Sequence, residues 1–491
     1  MKTRIKYIVA SFITLFALQS CEKWFDVTAS DQIKAEDQFS SGDGFRDALT
    51  GIYLAMGTES LYGKDMTFNM IDILAQQYQP FTGASAKYND MQNFRYSTTR
   101  SEEHIQRIWD KFYFAIANVN TALSYLEKSD FVWYPGEKEI IEGELLALRA
   151  FLHFDLMRVF GHSNYENRSD LTSKMAIPYS TMYSKEIIPQ LSYTETFELL
   201  ESDIATALDL LKYDPVHPNT LLTEAQLVEI NREGFYSKRD GRMNYFAVKA
   251  LQARVYAWQG GQKWKLAVQA AEEVIEKSAA KLAAVDLDIS WNKTVSSEYL
   301  FGLHITNHSL IAAPLFSANS NTDYDVLRLG DEAIEELYET AVPEIGVVDF
   351  RYSSLIDRGA YGLFSSKLNR YFNSLDYDKM PLIKLPEMYY IAAEYYSKNN
   401  LSKAIALLQE VRASRRIVHE LPKQMSVEDF QEELMKEYRK EYIAEGQLFF
   451  YYKRIGLLHM PNISNDIIVD DAIYMLPFPM SEIEFGNRVQ N

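Results

Sequence analysis

Apolar side chains recur three and four residues apart along most of this 491-residue chain, and no other sequence feature constrains its fold so tightly. From Arg107 to Glu127 the chain reads RIWDKFYFAIANVNTALSYLE, and Trp109, Phe112, Ile116, Val119, Leu123 and Leu126 form one stripe. From Glu144 to Gly161, Leu145, Leu148, Leu152, Leu156 and Val159 share a face, and Arg158 followed by Gly161 marks the stop. Thr194 to Leu211 is a third helix of this kind, with Thr194 and Glu195 as its start. Gly 21 and Pro 14 make up about 7% of the chain, against about 12% in average usage. So few chain breakers argue against a turn-rich sandwich or barrel.

Two stretches have the pattern of a helical-hairpin repeat. Met388, Ile391, Ala392, Tyr395, Ala404, Leu408 and Val411 fall at the spacing of the seven tetratricopeptide signature positions, with Asn399-Asn400 at the turn. Small residues there let the helices approach and large ones fill the gap. Met243 to Ile275 is a looser copy that turns at Gly260-Gly261; two unrelated helix pairs would also fit. The expected fold is all-α, with tetratricopeptide-like hairpins in an α-α superhelix and a loop-rich irregular subdomain. The irregular stretches are 76–99, 161–193, 282–316, 317–331 and 351–378, the fourth of these ending at Asp331. Within 282–316 the run YLFGLHI alternates like a short strand. Structureless loops longer than about 15 residues are uncommon unless functional, so a ligand is expected there.

The first residues have the form of an export signal. Lys2, Arg4 and Lys6 precede the mostly apolar stretch Tyr7 to Leu18, which is shorter than the about 20 residues a membrane span needs. Leu18-Gln19-Ser20-Cys21 resembles a bacterial lipoprotein box, in which Cys21 is acylated and becomes the first residue. A plain signal peptide is the alternative. Cys21 is the sole cysteine, so an internal disulfide framework is excluded. The net charge of −18, with no Lys/Arg run, disfavours nucleic acid as a partner.

The ordered set of CEKWFDV, GELLALRAFLHFDLMRVFG, FAVKALQARVYAWQG, LPEMYYIAAEYYSKNNLSKAIALLQEVRASR, RKEYIAEGQLFFYYKRIG and LPFPMSEIEFGN resembles the SusD/RagB outer-membrane lipoproteins. The chain departs from that pattern after Glu445-Gly446, where Leu448 and Tyr451 stand at positions commonly held by arginine and aspartate. The resemblance implies one helical body whose loop-rich half carries the ligand. Residues 1–20 would be the lipoprotein signal peptide, 21–215 the N-terminal region and 216–491 the C-terminal region packed against it. It also implies a lipid-anchored protein on the outer face of the outer membrane, paired with a SusC-like TonB-dependent transporter as a lid over its barrel. The implied task is capture of oligosaccharides or similar nutrients. A structural lid with little affinity of its own is the alternative.

Enzymatic and metal signatures are sparse. There is no G-x-S-x-G elbow, no phosphate loop and no H-E-x-x-H helix. His304 and His308 are four apart, but Ile305 stands where a zinc protease needs glutamate, and packing explains both histidines better. Asn319, Asn321, Asp323 and Asp325 alternate as in calcium loops, but Tyr324 takes the glycine place and Gly330 the glutamate place. A polar loop is the simpler reading, with a noncanonical calcium site left open. Asp331, Glu332, Glu335, Glu336 and Glu339 read as a solvated helix face, and Glu441 with Glu445 as structural ion-pairing beside Arg439 and Lys440. No catalytic residue, cofactor or metal is assigned. Sugars present an apolar C–H face and a polar rim, so rigid aromatics with nearby amides suit them. The candidate ligand contacts are Tyr88, Phe94, Tyr96, Tyr324 and Tyr361, with Asn93 and Asn321, and Asn89 and Arg95 as further polar groups. The family's ligand residues lie outside its shared motifs, so none is carried over by position.

Overall fold

The computed structural model describes residues 35–489, except 84, 319–322, 371–373, 375 and 465. The signal segment 1–20, Cys21 and Asn321 lie outside the described residues. Among the described residues there are eleven helices of eight residues or more. They are α1 (Gly42–Met56), α2 (Thr99–Glu127), α3 (Glu137–Phe160), α4 (Tyr193–Leu210), α5 (Tyr245–Gln259) and α6 (Trp264–Lys277), followed by α7 (Asp331–Tyr338), α8 (Leu385–Asn399), α9 (Leu401–Ser414), α10 (Val427–Glu441) and α11 (Leu448–Ile455). The strands are short: β1 (Met175–Pro178), β2 (Gln190–Ser192), β3 (Tyr299–His304), β4 (Ile356–Gly359), β5 (Gly362–Ser365) and β6 (Lys379–Lys384). They form three antiparallel two-stranded ribbons, β1–β2, β3–β6 and β4–β5. The chain is all-α in class, and no described helix is long and apolar enough to cross a membrane.

The stripe on α2 is buried as the spacing predicts: Trp109, Phe112, Ile116, Val119 and Leu126 are each at most 2% exposed. The helix α4 begins one residue earlier than expected. Ser192 is its N-cap, accepting from Glu195 N while the Glu195 carboxylate accepts from Ser192 N, so two orphan donors are satisfied reciprocally. Helices α5 and α6 form one hairpin, α8 and α9 another, and α6 packs on α8 so that the two stack in succession. Of the seven repeat-signature residues, six are buried and Tyr395 is half-buried against the core. The run YLFGLHI supplies β3, which pairs with β6 immediately before α8.

The single apolar face expected on α3 is only part of that helix's contact surface. It is buried between α2 and α4 around nearly its whole circumference, charged positions included. Glu144 pairs with Arg239 and Arg242, both at 2.9 Å, and Arg149 with Asp203 at 2.6 Å. Asp155 holds Arg158 at 2.5 Å and accepts from the Tyr62 hydroxyl at 2.7 Å. A charge is tolerated at such depth only when paired, and each of these is.

A second buried network joins distant segments to α10. Glu441 receives Lys384 at 2.6 Å, Arg415 at 3.1 Å and Arg351 at 3.2 Å; Glu445 receives Lys367 at 3.0 Å. These carboxylates do ion-pair, but with partners far along the chain; Lys440 turns to Glu437 at 3.4 Å. Leu448 is fully buried, and the Tyr451 ring stacks on Tyr438 with centroids 3.8 Å apart. The apolar pair at the departed motif positions therefore serves packing.

Candidate functional site

Three of the irregular stretches are hydrogen-bonded into one patch ahead of α7. Gln79 N donates to Arg328 O at 2.7 Å, and Tyr78 and Leu329 form an antiparallel bridge. Leu329 N in turn donates to Leu363 O at 2.9 Å, which attaches the β4–β5 hairpin. Gln92, buried beneath, braces the first segment: its Oε1 accepts from Phe81 N at 2.7 Å and its Nε2 donates to Gln79 O at 3.1 Å. Asp325 closes the side by accepting from Lys87 N at 2.7 Å, with Lys87 Nζ at 3.5 Å.

Between these segments lies a cleft of about 200 Å³, lined by Gln79, Pro80, Phe81, Thr82, Val326, Arg328 and Tyr361. Tyr361 is 41% exposed and Tyr324, on the neighbouring rim, 39%. Gly83 has φ +101, a conformation few side chains tolerate, and a Cβ there would lie 3.3 Å from the Tyr324 ring. The glycine thus lets that ring approach the backbone at Gly83 closely. Arg328 Nε donates to Tyr361 O at 3.1 Å, which ties the base of the second tyrosine. The cleft presents rings, an amide, a hydroxyl and a guanidinium, which is the donor set that grips a sugar by face and rim. Among the described residues its lining holds no carboxylate.

The other candidate residues are placed differently. Tyr88 is buried against His104, ring centroids 5.1 Å apart, and Tyr96 is buried with its hydroxyl donating to Ile473 O at 2.6 Å. Burial raises the pKa of both phenols well above the usual tyrosine range. Phe94 is half-buried against the core at φ +57. Asn93 is exposed and donates to Asn89 O at 2.7 Å; Arg95 pairs with Asp90 at 3.0 Å. Tyr361 therefore lines the cleft and Tyr324 lies exposed against Gly83, next in sequence to its lining residue Thr82, whereas Tyr88 and Tyr96 face inward. Phe81, Gln92 and Arg328 were not singled out from sequence; none stands in a motif, and only the pairing of 76–83 with 324–330 gives them a role.

Larger hollows have another character. One of about 440 Å³ lies between α2 and the C-terminal segment, with Phe114, Ile187 and Phe485 more than half exposed. One of about 380 Å³ includes Tyr53 and Tyr299, whose hydroxyls are engaged by Glu144 and Thr294. His304 lies on its exposed rim, while His308 is buried, its Nδ1 accepting from Arg370 Nη2 at 2.7 Å. Burial, then the Arg370 charge, holds the His308 imidazole neutral.

Residues 31–226 match the family described as "Starch-binding associating with outer membrane". The SusD-like protein P25 of Formosa agariphila is 19% identical over 307 residues, 61% of this chain and 52% of that protein. The SusD-like protein P38 of the same organism is 28% identical over 196 residues, 40% of this chain and 35% of that one. The matches thus span about half or less of these relatives' own lengths. Among solved structures, a SusD superfamily protein from Bacteroides thetaiotaomicron has a TM-score of 0.71 at 23% identity, covering 92% of this chain and 99% of its own. A SusD-like carbohydrate binding protein from Bacteroides vulgatus gives 0.69 at 16% identity, covering 91% and 97%. Surface glycan-binding protein A from Bacteroides thetaiotaomicron gives 0.66 at 17% identity, covering 92% and 99%. By its match over residues 31–226 and a fold shared along about nine-tenths of its length, this chain is similar to SusD-like proteins in its N-terminal sequence and in its whole fold.

Proposed function

We propose that this protein is a non-enzymatic glycan-binding lipoprotein of the outer membrane, anchored by acyl chains on Cys21 and exposed at the cell surface. It captures oligosaccharides and delivers them to a SusC-like TonB-dependent transporter. The observation that carries the reading is the cleft lined by Tyr361, with the exposed Tyr324 ring against the adjoining Gly83, where rings and fixed polar groups stand on segments stitched to a rigid helical scaffold. Rigid aromatic contacts cost little entropy on binding, which suits weak, reversible capture ahead of transport. The names of the structural neighbours, which speak of glycan and carbohydrate binding, support the same reading.

The test is a titration of the Cys21→Ser protein, with its signal removed, against a panel of glycans, with Tyr324→Ala and Tyr361→Ala as controls. Saturable binding that both variants weaken supports capture at this cleft. Release of cleaved product during the incubation overturns the non-enzymatic assignment.

The apolar surface around Phe114, Ile187, Met480 and Phe485 favours a second reading, an interaction subunit that covers the transporter and has little ligand affinity. Retained copurification of the transporter with no glycan bound supports that alternative.

A further inference from the structure

Arg328 differs from the buried arginines of this acidic chain. The nine arginines below one-tenth exposure each have a carboxylate within 4.0 Å, as in Arg239 with Asp214 and Arg415 with Glu298. Arg328, half-buried at the cleft, has none among the described residues. Its stem crosses Gly362, a Cβ at which would meet Arg328 Cδ at 3.5 Å, and its Nε is spent on Tyr361 O. Its Nη2 is shielded from solvent and has no hydrogen-bond partner. Among the acidic groups of the surrounding segments, Asp325 pairs with Lys87, and Asp331 and Glu335 with Arg358. A guanidinium that lines a cleft without a carboxylate partner matches an anionic oxygen better than a neutral hydroxyl, because a charge-assisted hydrogen bond there is the stronger one. The chain's net charge of −18 opposes an acidic ligand at long range. Screening at physiological salt limits that repulsion to about 8 Å, so the contact at Arg328 decides.

We propose that Arg328 makes this cleft selective for glycans that carry an anionic group, a uronate carboxylate or a sulfate half-ester. The inference rests on the reading of the cleft as the glycan site. It supplies what the tyrosines lack, since rings recognise the sugar face whatever its substituents.

The test uses the full-length chain purified in detergent, titrated calorimetrically with three matched sets: neutral glucan, oligogalacturonate and sulfated galactan oligosaccharides. At least one acidic set is expected to bind about tenfold or more tightly than the neutral set, with affinity falling as salt rises. Arg328→Ala removes that preference, whereas Arg328→Lys restores part of it, and both keep the parent melting temperature. Whichever acidic set binds distinguishes carboxylate from sulfate. Neutral glucans bound as tightly as acidic ones, with Arg328→Ala unchanged but Tyr361→Ala weakened, overturn the selectivity while the cleft stands. Binding of no glycan in any set overturns the selectivity and the cleft together.

Discussion

At the scale of single residues, exposure divides the aromatic side chains by role. Tyr324 and Tyr361 keep about two-fifths of their surface exposed, whereas Tyr88 and Tyr96 keep less than one-tenth. Replacing either exposed ring by alanine is expected to weaken glycan binding about fivefold to tenfold, with thermal stability unchanged, as calorimetry and a melting curve together would show. Gly83 carries a linked expectation. Gly83→Ala forces an L-residue to φ +101 and crowds the Tyr324 ring, so stability should fall by about 1–2 kcal/mol and affinity with it. Full affinity in that variant would separate Tyr324 from the binding surface.

Among the elements, the turn between α10 and α11 depends on a residue almost four hundred positions earlier. The Asp72 carboxylate accepts from Ala444 N at 2.9 Å, Gly446 N at 3.3 Å and the Tyr78 hydroxyl at 2.5 Å. Burial pushes its pKa up to about 7 against those three donors. Asp72→Ala leaves all three donors buried without an acceptor, and chemical denaturation should register a loss of about 3 kcal/mol or more. Gly446 has φ +71, and a Cβ there would lie 2.4 Å from Thr67 O. Gly446→Ala should cost at least as much, since the obstacle is backbone and has nowhere to move. If either variant unfolded at the parent denaturant midpoint, this turn would not be an anchor.

For the whole molecule, internal ion pairs set the acid limit. Burial opposes ionisation of Glu437, but Arg351, Lys440 and Arg412 outweigh it and bring its pKa to about 2, below the 4.5 of an ordinary glutamate. A depressed carboxylate contributes stability that is present above 4.5 and is lost as pH falls through the folded value. The contribution is on the order of 3 kcal/mol, so the melting temperature should drop steadily between about pH 4.5 and pH 2. Asp72 acts in the opposite sense: its raised pKa favours the folded state on the acid side and costs stability as pH rises from 3.8 towards 7. A melting temperature constant down to pH 2.5 would contradict the network's role. At the cell, Cys21→Ser should abolish incorporation of labelled fatty acid and release the protein from the membrane fraction; a variant still labelled and membrane-bound would contradict the anchor.

Periodicity by itself determined the helical class, the buried stripe of α2 and both hairpins, because a 3.6-residue repeat is a local property that survives without knowledge of the fold. The three loops that meet at the cleft were also legible as regions, from their aromatic and polar composition and their length. Which of their tyrosines faced outward was not legible. Tyr96 and Tyr361 look alike in sequence, and only the Tyr96 bond to Ile473, nearly four hundred residues away, shows why one is interior. The buried charges of α3 and α10 were hidden for the same reason. Glu441 reads as an ion pair with its neighbours Arg439 and Lys440, and nothing local marks Glu144 or Arg149 as buried, until Arg415, Arg239 and Asp203 are brought beside them. Spacing along a helix says which residues share a face; whether that face meets water, a ring or an opposite charge is decided by segments the local sequence does not contain.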